Sequence, residues 1–139
     1  IAIAHVMLQD EVDMAYRHES VCLGSDGSLN RGQGHPRAAS AFPRFIARYV
    51  RGGSMSLYDA VDILSCRAAR LLGLEKKGRL LVGADADVVI FDPERIEDRS
   101  DFSQPLVPPV GIDYVLVNGE IAARDSVILK ARLGKSVRK

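Results

Sequence analysis

The spacing of apolar residues changes once along this chain, between Leu74 and Lys77, and that change limits the fold more than any other feature. Before it, apolar residues recur every three or four positions, the spacing that gives a helix one apolar face. After it, they alternate or form short blocks broken by Gly, Pro and Asn, the pattern of strands and tight turns. The expected fold is therefore α/β, with a helical part over 1–74 and a small antiparallel part over 75–139.

Residues 4–18 read as a moderately amphipathic helix, with Val6, Met7, Val12, Met14 and Tyr16 set among acids. Val21-Cys22-Leu23 reads as a short buried strand, and the glycine-rich 24–34 that follows reads as loop. In AFPRFIARYVRGG a second helix is expected, with Pro43 in its first turn, Phe45, Ile46, Tyr49 and Val50 on one face, and Gly52-Gly53 as its stop. A third helix begins at Ser56, where Asp59 three positions on replaces the usual Glu of a capping box. Leu57, Ala60, Val61 and Leu64 line its apolar side, and Gly73 ends it.

Beyond Leu74, the blocks at 78–82 and 88–91 read as strands around a GADAD turn. Residues 94–111 carry Pro105, Pro108 and Pro109 and read as a long irregular loop. Asn118-Gly119 supplies the two positive-φ positions of a type I′ turn, so YVLVNGEIAA is a hairpin, and 127–129 adds a last strand.

Charge and cysteine usage narrow the function. Nineteen basic residues stand against 18 acids, a net +1, which gives no field to draw in nucleic acid or an anionic membrane. The basic tail, Lys130 to Lys139, lacks interleaved aromatics and reads as solvated. Cys22 and Cys66 form no CxxC pair, which suits a reducing cytoplasm. No apolar run approaches the roughly 18 residues of a membrane span. The chain starts at Ile1 rather than Met, as a piece of a longer protein would.

Few motifs carry chemistry. Gly134-Lys135-Ser136 lacks the glycine a phosphate loop needs five positions earlier, where Leu129 stands. His5, His18 and His35 are too far apart to form a metal-ligand pair on one element, so no metal site is expected from this chain alone. His5 reads as a packed histidine and His18 as a surface residue at a helix end. Asp26 is a better candidate, because a carboxylate just past a buried strand lies where α/β folds gather their chemistry, although on spacing alone Asp26-Gly27 reads as a plain turn. His35-Pro36-Arg37 could hold an anion, since a guanidinium fork matches a carboxylate.

Taken together, LGSDG, GHPRAASAFPRFIARYVR, LSCRAARLLGLEKKGRLLVGADADVVIFDPERI and GIDYVLVNGEIAARDS resemble the C-terminal part of the D-aminoacylases, the N-acyl-D-amino-acid deacylases of the amidohydrolase superfamily. The resemblance runs in order along nearly the whole chain, and GRLLVGADADVVIFDP alone marks only the wider superfamily.

What the resemblance implies is a metal-dependent (β/α)8 barrel, of which this chain would supply the last strand and helices, with a small β-sandwich built from both chain ends. In such enzymes zinc activates a water that attacks the amide carbonyl. The residue matching Asp26 takes the water's proton and delivers it to the leaving amine. Arg37 falls where the substrate carboxylate would be held, with His35 placing that loop. The metal ligands would lie upstream of Ile1, so the isolated chain should be inactive. Alternatives are a cyclic-amide hydrolase of hydantoinase or dihydroorotase type, or a noncatalytic interaction module. An incomplete barrel exposes strand edges and apolar helix faces, so self-association of the fragment is expected.

Overall fold

The computed structural model describes residues 6–137, so His5 lies outside the described residues. Helix α1 runs over Gln9–Tyr16, shorter than expected, and its start is capped by Leu8 N–H donating to the Glu11 carboxylate at 3.1 Å. Helix α2 runs over Arg37–Phe45 and continues as a π-helix over Ile46–Arg51. Helix α3, Leu57–Val61, passes through a π-turn at Asp62–Cys66 into α4, Arg67–Leu71.

The stop signals act as glycine chemistry dictates. Gly53 and Gly73 both take positive φ, 76° and 66°. Their N–H groups donate to Val50 and Arg70, and those of Ser54 and Leu74 to Tyr49 and Ala69, so each helix end closes as a Schellman motif. At the start of α3, Ser56 Oγ accepts from Asp59 N–H and donates to the Asp59 carboxylate at 2.6 Å. The shorter Asp thus returns the bond to the hydroxyl, where a capping-box Glu would reach the backbone.

Helix α2 corrects the expected boundary. It starts six residues before Pro43, directly after Pro36, and Pro43 lies buried inside it. An internal proline removes the helical donor for the carbonyl four residues back, here Ala39. The helix widens into π geometry three residues later. The apolar stripe of α3 is also shifted. Ala60 is buried as expected and Ile63, three residues on, is buried with it, but Leu57 and Val61 are exposed, Val61 facing the apolar cleft beside the sheet.

Two expected strands do not form. Residues 21–23 are half-buried but irregular, with Leu23 N–H donating to the Ile63 carbonyl and Arg67 donating to the Val21 carbonyl. Residues 78–82 are likewise irregular, with Leu80, Leu81 and Val82 exposed. A strand is defined by the neighbour it pairs with, and neither segment has one among the described residues. Conversely, the glycine-rich loop holds a two-residue hairpin, β1 (Leu29–Asn30) with β2 (Gln33–Gly34), turned by Arg31 and Gly32 at positive φ.

The remaining strands form one antiparallel sheet in the order β3 (Val88–Phe91), β4 (Ile112–Val117), β5 (Glu120–Arg124), β6 (Val127–Ile128). Asn118 and Gly119 turn the β4–β5 hairpin with φ of 51° and 80°, as the sequence requires. The core is Phe45, Ile46, Tyr49, Ala60 and Ile63 from the helices, closed by Ile96 from the irregular segment after β3. Tyr16 of α1 packs edge-on against Phe45 and Tyr49, with ring centroids 4.9 and 5.7 Å away. Among the described residues, no helix is long and apolar enough to cross a membrane.

Candidate active site

Asp26 sits at the tip of the turn between the irregular 21–25 segment and the β1–β2 hairpin, with its backbone in the left-handed region at φ 43°. Aspartate tolerates that region better than most side chains. Gly27 then lies flat on the first turn of α2: a Cβ there would fall 2.6 Å from Ala38 Cα. The turn is therefore held against the helix by a contact that any side chain would break.

Arg37, the first residue of α2, reaches back to the same turn. Its Nη2 meets Asp26 Oδ2 at 2.6 Å and its Nε donates to the Asp26 carbonyl at 3.0 Å. Arg37 N–H donates to His35 Nδ1 at 3.1 Å, which ties the imidazole to the start of α2. The structure thus brings together all three residues singled out from the sequence. Both side chains of the ion pair remain accessible, at 44% for Arg37 and 87% for Asp26.

Sequence reasoning missed the segment that backs this cluster. Residues 98–105 lie along α2, with Asp98 on Arg44, Ser100 on the Pro36 carbonyl and Phe102 edge-on to the His35 ring at 5.1 Å. The Asp101 carboxyl is held below the usual carboxylate range by the Ser103 hydroxyl and the N–H groups of Gln104 and Ser103. No sequence signal marks this docking, since it joins residues more than fifty positions apart.

Other charged groups knit the scaffold. Tyr49 donates to Asp13 at 2.5 Å; burial and that bond push the phenol up to about 12, while Tyr49 and Gln9 hold the Asp13 carboxyl low. Lys77 binds Asp87, and also Asp85 at 3.1 Å, which raises the Lys77 amine and lowers the Asp87 carboxyl. Arg67 donates to the carbonyls of His18 and Val21, tying the segment that leads to Asp26 onto the helices. His18 is exposed just beyond α1, as expected. Cys22 and Cys66 are free thiols.

No group of three His, Cys, Asp or Glu side chains among the described residues could hold a metal ion. An apolar cleft of about 640 Å³ lies between the helices and the sheet, lined by Phe42, Ile46, Leu64, Phe91, Ile112 and Val115. It does not include Asp26, His35 or Arg37.

The profile of the Amidohydrolase family matches residues 13–123. The chain is 42% identical to the N-acyl-D-glutamate deacylase of Alcaligenes xylosoxydans xylosoxydans over 119 residues, 85% of this chain and 24% of that protein. Among solved structures, the N-acyl-D-glutamate deacylase of Bordetella bronchiseptica, complexed with zinc and a phosphonate mimic of the tetrahedral intermediate, superimposes with a TM-score of 0.78 at 41% identity. That match covers 84% of this chain and 25% of the other. A D-aminoacylase structure superimposes at 0.83 with 29% identity, covering 91% and 27%. The chain thus spans about a quarter of the length of the relatives it matches.

Proposed function

The chain belongs to the amidohydrolase family, and from that premise we propose that it is the C-terminal part of a deacylase that hydrolyses the amide bond of N-acyl-D-amino acids. In the intact protein, residues 1–74 would complete the barrel, with 21–23 pairing as its last strand, and 75–139 would join the small β-sandwich. The described residues do not fit a zinc site, so the zinc seen in a similar deacylase would be held by residues outside this chain.

The observation that carries the reading is the Asp26–Arg37 pair, an acid on an accessible turn clasped by a guanidinium from a helix start. Asp26 takes a proton from the attacking water and returns it to the nitrogen as the C–N bond breaks, which leaves a carboxylate and a free amine. Arg37 receives the substrate carboxylate. An exposed ion pair is worth only about 0–1 kcal/mol, so exchanging Asp26 for substrate costs Arg37 little and frees the acid to work.

In the intact enzyme, Asp26→Asn is expected to lower kcat for N-acetyl-D-glutamate by about 10²–10⁴-fold, with zinc content by elemental analysis unchanged. Retained turnover would leave Asp26 as a turn residue only. The 139-residue chain alone, given zinc, is expected to show no turnover. A second reading, that this chain self-associates when isolated, is supported by the exposed apolar side chains of 80–82 and 127–129.

A further inference from the structure

Among the described residues, two polar side chains are buried, Ser40 at 2% and Ser100 at 4% exposure, and both hydroxyls donate to one acceptor. That acceptor is the Pro36 carbonyl, at 2.8 Å from Ser40 Oγ and 3.1 Å from Ser100 Oγ. The Ser40 bond is local to α2. Ser100 arrives from 64 residues away, and α2 does not need it, because the N–H groups of Ala39 and Ser40 already donate to the same carbonyl. A buried hydroxyl is costly unless it is bonded, so this one contact fixes where the distant segment sits.

Two further attachments lie to either side. Asp98 binds Arg44 through Nη2 at 2.6 Å and Nε at 2.9 Å, and Phe102 packs on His35. The chain then turns back on itself around Phe102: Asp101 Oδ1 accepts from Ser103 N–H, Ser103 Oγ and Gln104 N–H, all within 2.8 Å, and Pro105 is buried. We infer that residues 98–105 form a strap that sets the aim of the Arg37 guanidinium, with Ser100 and Phe102 as positioning residues for the His35-Pro36-Arg37 step. The inference rests on Arg37 receiving the substrate carboxylate, as proposed above. The guanidinium hangs from this step, so a shift of the His35-Pro36-Arg37 backbone shifts the donors that Arg37 presents.

A clamp that holds substrate and transition state alike shows itself in KM rather than kcat. In the intact enzyme, Phe102→Ala and Ser100→Ala are each expected to raise KM for N-acetyl-D-glutamate about tenfold, with kcat within about threefold. The α-amide of the same compound, which offers Arg37 no α-carboxylate, should show no such change. Phe102→Tyr, which keeps the ring, should restore KM to within about twofold. In an Arg37→Gln background, neither strap substitution should raise KM further. Phe102 is half exposed, so its variants test the inference even if Ser100→Ala folds poorly. Equal losses on acid and amide, or additive losses with Arg37→Gln, would make the strap a stability element and overturn the inference. A raised KM in Arg37→Gln beside unmoved strap variants overturns the inference alone. An unmoved KM in Arg37→Gln overturns it together with the carboxylate reading.

Discussion

At the scale of single residues, the glycines with the least room carry the most structural information. Gly111 has φ 77°, and a Cβ there would stand 2.4 Å from Ile96 N and 2.6 Å from Ile96 Cα. Its carbonyl also accepts from Asp92 N–H at 2.9 Å, so two backbones cross where Ile96 enters the core. Gly111→Ala adds a strained φ to a collision with main chain, and about 2 kcal/mol or more of lost stability is expected. Urea unfolding of the 139-residue chain would show this as a lower midpoint, and an unchanged midpoint would contradict the crossing. Gly27 is tight for a different reason. The sequence suggests a turn former, yet the positive φ belongs to Asp26, and Gly27 is needed for its approach to Ala38. Gly27→Ala should therefore lift the Asp26 turn off α2 and reduce turnover in the intact enzyme while leaving the exposed turn's stability cost small. Asp26, His35 and Arg37 were legible as candidates from residue type and position. That they meet was not, because the contacts join residues 11 apart across a hairpin.

Between elements, what the sequence disclosed was whatever is decided locally. The Schellman ends at Gly53 and Gly73, the Ser56 cap and the Asn118-Gly119 turn each depend on a few adjacent residues, and all form as read. The segments at 21–23 and 78–82 depend on partners, and their apolar composition could not supply them. The GADAD turn falls between these cases. Its residues were visible as a turn, but its role is to latch the end of the helical part to the hairpin. Asp87 accepts from Asn118 N–H at 2.8 Å and binds Lys77, while Gly119 N–H donates to the Ala86 carbonyl. This latch makes a pH prediction with a fixed sign. The folded state lowers the Asp87 carboxyl below 3.8, chiefly through Lys77. Its stabilisation is therefore present above that value and lost as pH falls through the folded one. Lys77 is raised above 10.5, chiefly by Asp87, so its share is present below 10.5 and lost as pH rises further. Asp87→Asn should lower the thermal midpoint at pH 7 and flatten its acid limb. The slope should not vanish, because Asp13 and Asp101 are also held low. Acid limbs of equal steepness in the two proteins would show that the latch contributes nothing.

For the whole molecule, the question is what covers its apolar surface. Seven hydrophobic residues are buried among those described, while Leu80, Leu81, Val82, Val127, Ile128 and Leu129 each expose 60% or more. Strand β6, only two residues long, is an edge of the sheet and leaves Val127 and Ile128 exposed. A surface of this kind, together with the apolar cleft between helices and sheet, resembles an interface more than the outside of a free domain. The chain spans about a quarter of the length of its relatives, and the segments at 21–23 and 78–82 keep strand composition without strand partners among the described residues. In isolation, the next available apolar surface is another copy of the same chain. Light scattering after size exclusion at about 100 µM is therefore expected to give a dimer or larger species, driven mainly by apolar burial. Leu81→Lys with Ile128→Lys should move that distribution to monomer, because each places a charge on the surface to be buried. A monomer for the unsubstituted chain at that concentration would sink the prediction. Loss of helical signal in the double variant would count against it too, since surface positions should leave the Phe45–Ile63 core intact. If the same two substitutions, made in the intact enzyme, abolish its folding while the isolated chain merely becomes monomeric, then one surface serves both states. It is covered by the rest of the protein in the first and by a second copy in the other.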